Sequence, residues 1–110
     1  MTVRTITEFR VKDGEAERFE RTYRAGQFLE RATTNPGFLR GEFMRCVADP
    51  STFVAIAEWQ SEGDYAAWQA AYESLPRVEM ETMLETLADA PASTVHRVLL
   101  TADQNTEVRP

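Results

Sequence analysis

Residues Thr52 to Trp59 read TFVAIAEW and predict a β-strand with two apolar faces. Successive side chains of a strand point to opposite faces of the sheet. One face carries Phe53, Ala55, Ala57 and Trp59, and the other carries Val54 and Ile56. A strand with two apolar faces suits a sheet that is buried on both sides. We therefore expect helices on one face of the sheet and a second covering surface on the other.

The segment before this strand predicts its hairpin partner. Phe38 to Val47 has the composition of a strand, and Ala48 to Ser51 forms a short turn between the two. A link of this length favours an antiparallel hairpin. Gly41 weakens the first strand of the pair and marks a candidate bulge.

The two ends of the chain predict two further strands. Residues Val3 to Val11 alternate between two faces, which is the period of a strand. Thr94 to Leu100 predicts the last strand. Residues 101–110 are polar and without a pattern, so we expect a flexible tail after a single domain of residues 1–100.

Helical patterns connect these strands. Glu15 to about Ala32 has helical periodicity, and Asn35 to Gly37 (NPG) predicts the turn that follows. Ser61 is the predicted cap of the next helix, with Asp64 placed as in a capping box, and Pro76 ends that helix. A short third helix is predicted on the apolar stripe Met80, Met83, Leu84 and Leu87.

The order of elements predicts an α+β domain of βαββαβ type, a ferredoxin-like arrangement. Right-handed crossovers place both main helices on one face of a four-stranded antiparallel sheet. The other face then needs cover, and we expect two copies to stack sheet against sheet in a symmetric homodimer. A monomer with one solvent-exposed sheet face is the alternative.

Composition narrows the class of protein. The 110 residues are 43% apolar, enough for one core, and no apolar run approaches the roughly 20 residues that cross a bilayer. The formal charge is −6 without a basic cluster, which disfavours nucleic acid as a partner. The first residues lack the apolar stretch of a signal peptide, and the single Cys46 cannot form an internal disulfide. We expect a cytoplasmic protein with no membrane partner.

Five fragments, in their order and spacing, resemble the antibiotic-biosynthesis-monooxygenase family. They are Phe9–Gly14 (FRVKDG), Asn35–Leu39 (NPGFL), Asp49-Pro50, Glu58–Ser61 (EWQS) and Tyr65–Trp68 (YAAW). The resemblance runs from about Val3 to Leu100. It implies a dimeric α+β barrel in which each subunit binds its ligand between sheet and helices.

The family is functionally mixed, so the resemblance alone does not choose a reaction. It includes cofactor-independent oxygenases that convert polyketide anthrones into quinones, quinol monooxygenases and haem-degrading enzymes. The haem-degrading branch has a helical histidine about ten residues beyond a tryptophan, where this chain has Val78. Its early asparagine corresponds to Thr7. Haem degradation is therefore disfavoured.

The anthrone-oxygenase branch has an asparagine one turn before a helical tryptophan, with a tyrosine nearby. Here Asp64 lies one turn before Trp68, and Tyr65 and Tyr72 lie on the same side of the helix. The resemblance makes Asp64, Trp68 and Tyr72 catalytic candidates. Asp64 has a second interpretation, an acid at the positive end of the helix dipole, and an ionised carboxylate accepts hydrogen bonds but cannot donate them.

Cofactor-free oxygenation needs an anionic substrate, an aromatic slot that excludes water, a base, and donors that hold the substrate's oxygens. The candidates to bind the substrate are Trp59, Tyr65, Phe28, Tyr23 and Arg40, with Arg45 as an alternative arginine. Each aromatic residue has the alternative role of ordinary core packing.

His96 is the fourth catalytic candidate because its unperturbed pKa lies near neutrality. Its alternative is a hydrogen-bonded packing residue of the last strand. Cys46 is expected to be a small apolar filler. No phosphate-binding loop or metal-ligand spacing occurs in the sequence, so we expect neither a metal nor a nucleotide cofactor, while the use of a flavin stays open.

Three hypotheses follow. The first is a cofactor-independent monooxygenase that oxidises a polycyclic aromatic polyketide of anthrone or hydroquinone type to a quinone with dioxygen. The second is a non-oxidative cyclase or isomerase of aromatic intermediates. The third is a binding protein without catalytic activity.

Overall fold

The computed structural model describes residues 1–71 and 75–110. Within these residues the chain forms four strands: β1 (Val3–Arg10), β2 (Phe38–Arg45), β3 (Thr52–Trp59) and β4 (Ala92–Arg97). It also forms four helices: α1 (Ala16–Gly26), α2 (Phe28–Ala32), α3 (Glu62–Ala70) and α4 (Arg77–Glu85). None of the helices in the described ranges is long and apolar enough to cross a membrane.

The four strands form one antiparallel sheet in the order β2-β3-β1-β4. This confirms the predicted α+β, ferredoxin-like fold and the β2–β3 hairpin. Thr7 pairs with Ala55, and its neighbour Ile6 pairs with Ile56. Paired residues share a sheet face, so Thr7 and Ala55 lie on the face that we call inner, and Ile6 and Ile56 lie on the outer face.

All four helices pack on the inner face in two clusters of buried residues. The larger cluster joins α1, α2 and α4 to the sheet through Phe9, Phe19, Tyr23, Phe28, Phe53 and Met83. The smaller one joins α2 to the sheet through Val3, Ala32 and Trp59, and the half-buried Tyr65 and Trp68 of α3 pack against it. The outer face carries the half-buried Ile6, Val54 and Ile56, and the described helices do not cover it.

The first predicted helix is interrupted, which the sequence analysis did not expect. It was predicted to run from Glu15 to Ala32, but Gln27 adopts a left-handed conformation (φ 51°) and separates α1 from α2. The break turns the Phe28 ring back over Gly26, where a Cβ would lie 2.7 Å from that ring. A larger residue at position 26 would therefore require the Phe28 ring to move.

Two details of the strands also differ from prediction. The irregularity in β2 lies between Phe38 and Arg40 and not at Gly41. Gly41 instead allows α2 to approach the sheet, because a Cβ there would lie 2.7 Å from Leu29 Cδ1. The last strand, β4, begins two residues earlier than predicted and ends at Arg97. The flexible tail at 101–110 stays a prediction.

Candidate functional site

A cavity of about 230 Å³ lies between the inner face of the sheet and the helices. It exists because the inner-face residues at the middle of the sheet are small, whereas those at both ends are large. Thr5, Thr7, Ala55 and Ala57 form its floor. Phe9 and Phe53 fill one end of the same face, and Trp59 fills the other. The cavity is thus the gap between the two core clusters.

Aromatic rings form one wall of the cavity. The centroid of the Trp59 ring lies 5.6 Å from that of Tyr65 and 6.5 Å from that of Trp68. Trp59 is 1% exposed, whereas Tyr65 and Trp68 are half-buried. The structure therefore brings together three of the predicted site residues on one wall.

Tyr23 and Phe28 line the cavity from the larger cluster. The Tyr23 ring stacks on Phe43, with centroids 4.0 Å apart and an angle of 11°, and lies 5.5 Å from Phe28. Burial, with a smaller contribution from the Glu30 carboxylate, raises the pKa of Tyr23 above its ordinary value. Tyr23 is therefore a neutral phenol at physiological pH, and a neutral phenol can donate a hydrogen bond to a ligand oxygen.

Hydroxyl groups supply the polar part of the floor. The Trp59 indole N–H donates to Thr5 Oγ1 (3.1 Å), and Thr5 Oγ1 donates to the Ala57 carbonyl (3.4 Å). Thr7 Oγ1 and Ser93 Oγ form a hydroxyl pair 2.9 Å apart across β1 and β4. Thr5, Thr7 and Ser93 were not predicted from the sequence as ligand-contacting residues of this cavity. The available signal was polar residues alternating onto the apolar face of β1.

Asp64 does not lie at the cavity. Its backbone N–H donates to Ser61 Oγ (3.2 Å), and Ser61 Oγ donates to its carboxylate (2.8 Å), which confirms the predicted cap of α3. The carboxylate also packs against the backbone of Gly37, where it occupies the position that a Cβ would need. The structure therefore places Asp64 at the helix N-terminus, and Asp64 is not among the residues that line the cavity.

His96 and Arg40 lie on the outer face of the sheet and not among the residues that line the cavity. His96 pairs with Arg4 in the sheet, is exposed, and hydrogen-bonds to Thr94 Oγ1 (2.8 Å). Arg40 is exposed and forms an ion pair with Glu42 (3.0 Å). The register shift after Phe38 turns Arg40 to the face opposite the cavity. The candidate Tyr72 lies outside the described residues.

Arg45, the alternative arginine, lies at the end of the sheet away from the cavity. Its guanidinium is 5.2 Å from the centroid of the Phe53 ring, and its Nη2 is 3.7 Å from a carboxylate oxygen of Glu17. Among the described residues that line the cavity, none carries a carboxylate, an imidazole, an amine or a guanidinium. In the described part of the chain, no group of three His, Cys, Asp or Glu residues is placed to hold a metal ion.

A more polar groove of about 540 Å³ adjoins the cavity between α3 and β4. Tyr65, Gln69 and Ser93 line both spaces and therefore form the boundary between them. Gln69 Nε2 donates to the Tyr65 hydroxyl (3.2 Å). At the groove's outer end, Arg97 and Glu62 form an ion pair (3.6 Å). Two hydroxyl groups and one amide therefore lie at the boundary between the groove and the cavity.

Comparisons with known proteins agree with this architecture. The chain matches the family model for antibiotic biosynthesis monooxygenase over residues 2–75. No curated protein sequence matches it at significant similarity. Several solved structures share the fold over most of their length.

Three of these structures are representative. A candidate antibiotic biosynthesis monooxygenase from Nitrosomonas europaea has a TM-score of 0.73 at 21% identity, with 89% of this chain and 90% of that chain covered. SnoaB, a cofactor-independent oxygenase from Streptomyces nogalater, has a TM-score of 0.71 at 18% identity, with 91% and 95% covered. Rv0793 from Mycobacterium tuberculosis has a TM-score of 0.71 at 14% identity, with 94% and 100% covered. At these identities the likeness is one of fold.

Proposed function

Because the chain belongs to the antibiotic biosynthesis monooxygenase family, we propose that it is a cofactor-independent monooxygenase that converts a polycyclic aromatic substrate of anthrone or hydroquinone type into a quinone. The observation that carries the proposal is the aromatic-walled cavity between sheet and helices. Its volume of about 230 Å³ lies just below the roughly 300–1,000 Å³ of pockets that bury drug-sized ligands. A planar ligand of two or three fused rings suits it.

The proposed reaction on an anthrone needs no outside reductant. Loss of one proton from the CH2 group gives an anion whose charge rests largely on the ketone oxygen. That anion transfers one electron to dioxygen, and the two resulting radicals combine to form a peroxide anion. The peroxide anion takes up a proton from water, and the hydroperoxide then loses water to leave a second carbonyl. Anthrone and O2 thus give anthraquinone and water. The protein's task is to stabilise the anion and to hold it away from competing reactions.

The described residues fit that task through neutral donors. The Tyr23 phenol stays protonated because burial raises its pKa, so it is a donor for the anionic ketone oxygen. Trp59, Tyr65 and Trp68 provide the flat apolar wall for the rings. The substrate proton passes to water in the adjoining groove, so we expect the rate to increase with pH as the bound substrate ionises.

Oxygen uptake with anthrone as substrate tests the proposal. We expect one O2 consumed for each anthraquinone formed, at a rate unaffected by a chelator. Ala57→Leu adds bulk to the cavity floor and should abolish turnover. Ala25→Leu makes the same change on the exposed side of α1 and should not affect turnover. A rate equal to that in buffer would contradict the proposal, and activity lost with the chelator would contradict its metal-free form.

A homodimer is the second part of the proposal. The outer face carries Ile6, Val54 and Ile56 at its centre, with the Arg4–Glu58 ion pair (2.9 Å) toward one end. An apolar centre with charged surroundings is typical of protein interfaces. A two-fold axis through this face would bury the same residues of both copies.

A ligand-binding protein without turnover is the second candidate function. The neutrality of the described polar groups around the cavity favours it, because such groups orient a ligand without removing a proton. Quenching of tryptophan fluorescence by anthraquinone, without oxygen uptake or product formation, would support this alternative. Formation of a product without oxygen uptake would instead support a cyclase or isomerase.

A further inference from the structure

We propose that the hydroxyl pair of Thr7 and Ser93 is the polar anchor that orients the ligand, by hydrogen-bonding to a carbonyl or hydroxyl oxygen on the edge of its ring system. This inference rests on the cavity being the ligand site of the proposed function. It goes further by naming two positioning residues and the chemical feature that they recognise.

The geometry of the pair leaves hydrogen-bonding capacity for a ligand. Thr7 Oγ1 and Ser93 Oγ are 2.9 Å apart, on residues that pair directly across β1 and β4, and both residues line the cavity. Two hydroxyl groups have two hydrogens, and the bond between them uses one. One O–H donor and several lone pairs therefore remain for a third group.

Thr5, two residues earlier on the same strand face, lacks this spare capacity. Its oxygen accepts from the Trp59 indole N–H, and its hydrogen is donated to the Ala57 carbonyl. Thr5 is 4% exposed and Trp59 is 1% exposed. The hydroxyl of Thr5 thus supports the core, whereas the Thr7–Ser93 pair is available to a ligand.

The surroundings of the pair make this spare capacity selective. Ala55, Met83 and Pro91 line the same cavity and offer no side-chain hydrogen bond. A ligand oxygen in contact with the pair gains a hydrogen-bond partner, whereas a ligand edge without an oxygen displaces water from the hydroxyls and does not replace its hydrogen bonds. Since a hydroxyl both donates and accepts, the pair suits a carbonyl and a phenol equally. It would therefore hold an anthrone or hydroquinone and the quinone formed from it.

Binding measurements with three naphthalene derivatives test the anchor independently of turnover. Naphthalene, 1-naphthol and 1,4-naphthoquinone share one ring system and differ in edge oxygens. Binding is followed by competition against a bound fluorescent dye. For the wild type we expect about fivefold tighter binding of both oxygenated probes, the effect of one hydrogen bond of ordinary strength. Thr7→Val and Ser93→Ala should each weaken this preference, because the remaining hydroxyl loses the neighbour that orients it. The double variant removes both hydroxyls and should abolish the preference, and naphthalene affinity should stay unchanged in all three.

Two controls separate anchoring from general damage. Thr7→Ser retains a hydroxyl and should retain the preference. Thr94→Val makes the same substitution on the opposite face of β4 and should have no effect. Because Ser93 lies on an exposed edge strand, Ser93→Ala tests the anchor even if Thr7→Val does not fold.

The outcomes distinguish this inference from the proposed function. An unchanged preference in Thr7→Val and Ser93→Ala would overturn the anchor and leave the cavity as the ligand site. Failure of every probe to bind the wild type would overturn both. A preference weakened in both variants and lost in the double variant, in a protein that consumes no oxygen with anthrone, would support the anchor and contradict the oxygenase.

Discussion

Replacing Thr5 by Val should destabilise the protein although the side chain keeps its shape. The Trp59 indole N–H donates to Thr5 Oγ1 at 3.1 Å, and both residues are almost completely buried. Valine offers a methyl group in place of the hydroxyl. The indole N–H then remains buried without an acceptor, which is more costly than the loss of the hydrogen bond alone.

The size of the effect follows from this buried donor. An unsatisfied buried polar group costs about 1–3 kcal/mol. In a domain near this size, a loss of 1 kcal/mol lowers Tm by about 4 °C, so we expect a decrease of about 4–12 °C. No cavity term is added, because threonine and valine occupy nearly the same volume.

Urea unfolding followed by far-UV circular dichroism measures the change in the free energy of unfolding. All variants are compared at one protein concentration, because dimerisation would make the apparent stability depend on concentration. Thr5→Ser retains the hydroxyl and should lose less stability than Thr5→Val. Thr7→Val removes a hydroxyl from the same strand face but leaves no buried donor without an acceptor, so its free energy of unfolding should be close to that of the wild type. Surface substitutions usually change the free energy of unfolding by no more than about 0.5 kcal/mol. If Thr5→Val differs from the wild type by no more than this, the role assigned to this hydrogen bond is wrong.

Three further predictions concern the wall, the outer face and the buried phenol. Trp68→Ala should lower the free energy of unfolding by less than the roughly 3–5 kcal/mol lost at a fully buried tryptophan, because Trp68 is only half-buried, and it should weaken anthraquinone binding. Urea unfolding and ligand titration measure the two effects, and a full core penalty with unchanged binding would contradict the role of Trp68 in the cavity wall. Ile56→Arg places a charge at the centre of the outer face, so light scattering should show one chain of 12.5 kDa where the wild type shows two; a wild-type monomer would contradict the dimer. Burial raises the pKa of Tyr23 in the folded state, so as the pH rises the unfolded chain loses the phenol proton at a lower pH than the folded chain. The stability that the protonated Tyr23 contributes is therefore complete below about pH 10 and decreases as the pH rises further. Tyr23→Phe should lose less stability than the wild type between about pH 9 and about pH 11 in urea unfolding, and equal losses would show that the phenol is not buried.

The elements with local signals were predicted most accurately. The bounds of β3 were predicted at both ends, since Asp49-Pro50 precedes the strand and Ser61 caps the helix after it. The hairpin was predicted because a short turn leaves β2 and β3 no other simple pairing. Such signals depend on residues within a few positions of each other, and they are complete in the sequence.

Features that depend on distant contacts were not predicted. The left-handed Gln27 has no local cause comparable to a proline, and the break is stabilised by Phe28 packing among Tyr23 and the rest of the larger cluster. Tertiary packing thus overrides a helical period that continues through residues 15–32. The two-residue shift of β4 has a similar origin, because its start is set by pairing of Ala92 with Glu8.

The candidate site shows the same division, with one additional lesson about sheet faces. The aromatic wall was predictable because residues spaced three and four apart share a helix face. Alternation in a strand tells which residues lie together but not which face holds the ligand, and for that reason His96 was a candidate although it lies outside. Arg40 would alternate onto the same face as Phe38, but the single register shift between them reverses every later residue of β2. The more informative pattern was the run of small inner-face residues, Thr5 and Thr7 on β1 with their neighbours on β3, between larger ones. Small residues at the centre of the inner face leave a space between the sheet and the helices, so a run of small residues between larger ones is the sequence signal of this cavity.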